Sequence, residues 1–145
     1  MDGSKAPTIL VVDDDEDYRQ LACLFLGREG YQTHEATNGV HAVQLAQQFQ
    51  PALILMDLGM PVLDGKLAAE QIRQEPTLRG IPIIFISGFG ELGMDLYSSI
   101  DTLGYGPVEY LAKPVSDYPG LMKLIRDLLN RCATERPMNV DEEEA

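Results

Sequence analysis

Residues 8–15 read Thr-Ile-Leu-Val-Val-Asp-Asp-Asp. Five strand-forming residues in a row, with no polar alternation, suit a strand buried on both faces, which belongs in a parallel sheet covered by helices on either side. The pattern returns along the chain. Residues 52–56 (ALILM) form a second apolar run that ends on Asp57, and residues 82–86 (PIIFI) a third that ends on Ser87 and Gly88. Residues 109–112 (EYLA) form a shorter run ending on Lys113 and Pro114.

Helical periodicity fills the gaps between these runs. Residues 17–28 predict a helix with Leu21, Leu24 and Phe25 on its inner face and Gly27 and Gly30 at its end. Residues 31–36 alternate weakly, as an edge strand would. After Asn38-Gly39, residues 40–48 predict a helix with Val43, Ala46 and Leu45 inward, stopped by Pro51. A third helix is expected over residues 66–74, and a fourth from the spacing of Leu92, Leu96, Ile100 and Leu103. Leu121, Leu124, Ile125, Leu128 and Leu129 make an i, i+3, i+4, i+7, i+8 stripe for a fifth. Strands alternating with helices give the α/β class, and right-handed crossovers reduce the topology to a doubly wound parallel sheet of about five strands.

A chain of 145 residues, 45% hydrophobic and 23% charged, suits one globular domain with one core. The net charge of -12, with eleven basic residues scattered along the chain, argues against nucleic acid as a partner, because phosphates are neutralised by clustered Lys and Arg. No run approaches the roughly 20 apolar residues of a membrane span, and residues 1–7 lack a signal-peptide core, so a cytoplasmic protein is expected with no membrane partner. Cys23 and Cys132 are too isolated to suggest a disulfide framework or a zinc site, and Cys23 reads as packing. Residues 1–7 and the acidic stretch 132–145 are expected to be tails around a domain at 8–131, the latter disordered.

In an open α/β sheet, the carboxyl ends of the strands line the ligand crevice. Here those ends carry Asp13 and Asp14, Asp57, Ser87 and Lys113. A lone Asp or Ser after a strand is most often a helix cap, Asp15 and Glu16 read as solvated or capping residues, and a lone Lys is usually solvated. Four such ends converging on one edge instead make an acidic pocket flanked by a hydroxyl and an ammonium. Oxygen ligands of this kind suit Mg²⁺, which commonly bridges to phosphate. With Asp57 as nucleophile the pocket can form an acyl phosphate, Lys113 and the cation neutralising charge on the phosphoryl oxygens. Pro114 after Lys113 fits a rigid turn that aims its side chain.

Four segments now carry a resemblance: I-L-V-V-D-D-D at residues 9–15, L-I-L-M-D-L-G-M-P-V-L-D-G at 53–65, I-I-F-I-S-G at 83–88 and Y-L-A-K-P at 110–114. In order and spacing they resemble the motifs of response-regulator receiver domains, in particular the single-domain chemotaxis-regulator kind, over about residues 8–131. The resemblance implies a flavodoxin-like five-stranded sheet in the order 2-1-3-4-5. It implies that Asp57 is the phosphoacceptor, and that Asp14 directly, Asp13 through water, Asp57 and the Gly59 carbonyl hold Mg²⁺, with Mn²⁺ as a substitute. Ser87 would follow the phosphoryl group, Lys113 would pair with it, and Tyr110 would be the switch aromatic. The implied partners are a sensor histidine kinase or phosphotransfer protein, and a downstream protein reached through the face of the fourth helix, fifth strand and fifth helix. Such a protein is a phosphoacceptor switch that assists only its own phosphorylation and dephosphorylation, not an enzyme.

Two features depart from the family pattern: Gly59 and Gly88 place no side chain over the pocket, and residues 89–106 are long and Gly-rich. A rival reading is a haloacid-dehalogenase-like phosphatase with Asp13 as nucleophile. It needs a later acid, for which only Asp117 is suitably placed, and it leaves Asp57 without a role. No Gly-rich turn follows the first strand, which argues against a dinucleotide site. With the receiver filling the chain, the expectation is a single-domain regulator, a phosphorelay intermediate or a fragment of a longer regulator. His34 and His41 read as exposed or structural.

Overall fold

The computed structural model describes residues 6–57, 65–87, 108–112 and 117–135. Its elements run β1 (Thr8–Val12), α1 (Glu16–Arg28), β2 (Gln32–Ala36), α2 (Gly39–Phe49), β3 (Leu53–Asp57), α3 (Gly65–Gln74), β4 (Ile83–Ser87), β5 (Val108–Ala112) and, as the fourth described helix, α4 (Tyr118–Glu135). The strands form one parallel sheet in the order β2-β1-β3-β4-β5. That is the flavodoxin-like doubly wound arrangement. The helix expected around residues 92–103 lies outside the described residues, as do residues 1–5 and the tail beyond Glu135.

The unbroken apolar runs are explained by burial on both sides. Ile9, Val11, Leu53, Leu55 and Ile84 point to one face and pack on Ala22 and Leu26 of α1 and on Leu121, Met122, Ile125 and Leu128 of α4. Leu10, Val12, Ile54, Met56, Ile83 and Phe85 point to the other and pack on Ala42 and Ala46 of α2 and Ala68, Ala69 and Ile72 of α3. β3, central in the sheet, is buried at every position. β2 is the edge, which is why QTHEA carries only Ala36 fully inside.

Helix α1 differs from expectation in its phase. Leu21 and Leu24 are 41% and 49% exposed, whereas Ala22 and Leu26 are buried. The Phe25 ring stacks on Tyr118 of α4 at 4.4 Å and 5°, which turns small Ala22 toward the sheet and carries the two leucines outward. The helix ends in a Schellman arrangement. Gly30, at φ +94°, donates to Gly27 O, and Tyr31 N donates to Leu26 O. Gly30 alone therefore ends α1, while Gly27 sits in its last turn.

Helix α2 has Ala42 and Ala46 buried, with Val43 and Leu45 half-buried against them. Its last turn closes on Gln50, left-handed at φ 46°, where Pro51 prevents continuation. Helix α4 runs past Arg131 to Glu135, so residues 132–135 are helical and the tail begins later than expected from sequence. The first breaker beyond Arg131 is Pro137, and the residue before a proline avoids helical backbone, so helix is permitted up to Glu135. Among the described residues, no helix is long and apolar enough to cross a membrane.

Asn38 caps α2, its Oδ1 accepting from His41 N at 2.9 Å. Asn38→Ala should cost about 1 kcal/mol in urea unfolding with an unchanged m-value. A loss near zero would mean that the cap contributes nothing to the fold.

Candidate functional site

The register of the sheet brings the acids together. β1 and β3 pair with Val12 beside Met56, so Asp13, the next residue on β1, and Asp57, the last of β3, leave the sheet side by side. Carboxylate oxygens of Asp13, Asp14 and Asp57 lie within 4.8 Å of one another. Asp13 and Asp57 are each only 6% exposed, while Asp14 faces solvent. Two ionised carboxylates at such a distance repel by about 3 kcal/mol in an effective dielectric of about 20. An all-oxygen cluster of this charge fits a hard divalent cation.

The turn carrying these acids is held by its own chain. Asp13 N donates to Ala36 O at 3.1 Å, and Asp13 Oδ1 accepts from Asp15 N at 2.9 Å. Asp15 in turn caps α1, accepting from Asp17 N at 2.9 Å and Tyr18 N at 3.4 Å. Sequence reasoning missed Arg19, whose Nη1 donates to the Asp13 carbonyl at 3.0 Å and whose Nε donates to Glu35 Oε1 at 2.8 Å. Beneath Asp13 and Asp57 a small pocket opens between α1 and α4, lined by Tyr18, Ala22, Ile86, Tyr118 and Leu121.

The other expected residues are placed as follows. β4 ends at Ser87, which pairs in register with Ala112 of β5, and Asp57 pairs with Ile86. Tyr110 is half-buried in β5 beside Phe85, packed against the α2–α3 side of the core. Gly59, Gly88, Lys113 and Pro114 lie outside the described residues. Asp117 is exposed, and its Oδ1 accepts from Gly120 N at 2.9 Å in the first turn of α4. His34 stacks on Phe49 at 3.8 Å, and His41 serves α2 through its amide, so both have structural positions. Cys23 is a free thiol whose pKa is pushed up, mainly by burial and against the lowering effect of a hydrogen bond with Thr33. It is therefore poorly suited to act as a nucleophile.

The family profile described as "Response regulator receiver domain" matches residues 9–140. The chain belongs to this family. Among curated relatives of this receiver domain, the DNA-binding dual master transcriptional regulator RpaA of Synechocystis is 32% identical over 125 residues, 86% of this chain and 50% of that protein. The transcriptional regulatory protein SrrA of Staphylococcus aureus is 33% identical over 123 residues, 85% of this chain and 48% of that protein. The chain thus spans about half the length of the curated relatives it matches. The solved signal receiver domain assigned to a Luxo repressor protein of Vibrio parahaemolyticus superposes with a TM-score of 0.80 at 23% identity, covering 94% of this chain and 99% of that one. Residues 9–140 are thus a receiver domain of the two-component kind, a domain type that serves phosphorylation-dependent signalling.

Crowding three carboxylates stores repulsion in the metal-free receiver domain. In excess chelator, Asp14→Ala should melt at a higher temperature than the native protein by scanning calorimetry. A lower melting temperature would mean that the three groups do not repel as their spacing requires.

Proposed function

We propose that Asp57 accepts a phosphoryl group from the phosphohistidine of a sensor histidine kinase or phosphotransfer protein, in a reaction that requires Mg²⁺. The observation that carries this reading is a buried Asp57 with the oxygens of Asp13 and Asp14 within 4.8 Å, in a chain of the receiver family. A carboxylate oxygen of Asp57 attacks phosphorus, an O–P bond forms, and the P–N bond to the donor imidazole breaks. Asp13, Asp14, Asp57 and the Gly59 carbonyl would hold the cation, which supplies positive charge to the equatorial phosphoryl oxygens; Mn²⁺ has the same ligand chemistry. Lys113, aimed by Pro114, pairs with the phosphoryl group, and Ser87 donates a hydrogen bond to it.

The signal leaves through protein contacts. Phosphorylation adds charge and acceptor oxygens at the sheet edge, the Ser87 hydroxyl moves toward them, and Tyr110 repacks beside β4. The downstream partner then reads a face that includes β5 and α4, together with the helix expected from sequence at residues 92–103. An acidic receiver of net charge -12 is unsuited to binding nucleic acid itself. DNA binding in a relative such as RpaA is thus no guide to the chemistry of this stretch.

The phosphatase reading, with Asp13 as nucleophile, is disfavoured by two contacts. Asp13 Oδ1 accepts from Asp15 N, and Asp117, which would complete that site, is exposed and caps α4. The domain proper is assigned to residues 8–131 with α4 continuing beyond it, and a cytoplasmic location suits a kinase-coupled switch.

With acetyl phosphate and Mg²⁺, intact-mass analysis should show one added phosphoryl group. Asp57→Asn and excess chelator should each abolish it. An unchanged yield in either case would refute the assignment.

A further inference from the structure

Arg19 is a basic residue bonded directly to the acidic turn, and its two contacts diverge. The side chain is only 14% exposed. One edge of the guanidinium holds the Asp13 carbonyl, and the other holds Glu35 of β2. Glu35 lies beside Val11 in the parallel register, and the next residue, Ala36, accepts the Asp13 amide. Asp13 is thereby tied to the end of β2 through both its N–H and its C=O, the second tie running through Arg19.

We propose that Arg19 is a positioning residue for the cation site: it clamps the start of the β1–α1 turn so that Asp13 and Asp14 present their oxygens beside Asp57. This inference rests on the Mg²⁺-dependent reading above. Electrostatics alone predicts the opposite sign. Removing a guanidinium leaves the Glu35 carboxylate uncompensated near the site, and added negative charge favours a divalent cation. Positioning instead predicts weaker binding, because a loosened turn must be ordered again whenever the ion binds. The two accounts therefore disagree in direction, not only in size.

The clamp also has specific chemistry. A planar guanidinium can donate from two edges at once, whereas an ammonium on a flexible stem holds such a geometry poorly. Arg19→Lys should therefore recover only part of the effect. Glu35→Gln keeps an acceptor for Arg19 Nε and should disturb the turn less than loss of Arg19.

Titration calorimetry of the full chain with MgCl₂ tests the proposal, with Arg19→Ala expected to raise the Kd roughly ten-fold and Arg19→Lys to fall between it and the native protein. Phe49→Ala removes the His34–Phe49 stack in the last turn of α2. It should lower the melting temperature yet leave the Kd within about two-fold, since distant sites act independently. In chelator, the Asp13 amide should exchange faster in Arg19→Ala than in the native protein, a readout that needs no metal. Mg²⁺ binding by Arg19→Ala as tight as native, or tighter, overturns the positioning role. Failure of the native protein to bind Mg²⁺ overturns the metal-dependent reading and this role with it, and the exchange measurement then reports the clamp alone.

Discussion

The parallel pairing of β1 with β3 is the constraint from which the rest of the structure follows. Ile9 sits against Leu53 and Val12 against Met56, with the side chains of both strands buried on the two faces of the sheet. A slip of one residue would exchange those faces and misalign the strand ends. Because the register is fixed by burial, the first polar residue after β1 and the last residue of β3 emerge together. The acidic site is thus a consequence of hydrophobic packing several residues below it.

The same packing opposes the repulsion it creates. Asp13 and Asp57 are nearly buried with carboxylate oxygens within 4.8 Å of each other, a placement that like charges disfavour. The chain offers local compensation in the Asp15 amide on Asp13 Oδ1 and the Arg19 guanidinium on the Asp13 carbonyl. These contacts hold the turn, and a divalent cation would offset the repulsion among the acids. Binding energy and signalling would in this way draw on one source.

Much of this was legible in the sequence, for a physical reason. Strands buried on both faces read as uninterrupted apolar runs, so β1, β3 and β4 and the polar residues at their ends stand out, and their convergence follows from α/β topology. Helix phase was less legible. Residues 21–26 (LACLFL) are apolar almost throughout, so periodicity could not choose between Leu21–Leu24 and Ala22–Leu26 as the inner face. The choice was made by the Phe25–Tyr118 stack, a contact between residues 93 positions apart in the numbering. The Arg19–Glu35 bridge was hidden for the same reason, because it depends on the register of an edge strand whose own signal is weak.

The central claim is that Asp57, not Asp13, carries the phosphoryl group. Borohydride reduction of the acetyl-phosphate-treated protein, followed by peptide mapping, converts an aspartyl phosphate to homoserine at the position that held it. The account predicts homoserine at position 57 with Asp13 intact. Homoserine at position 13 would contradict it and favour phosphatase-like chemistry.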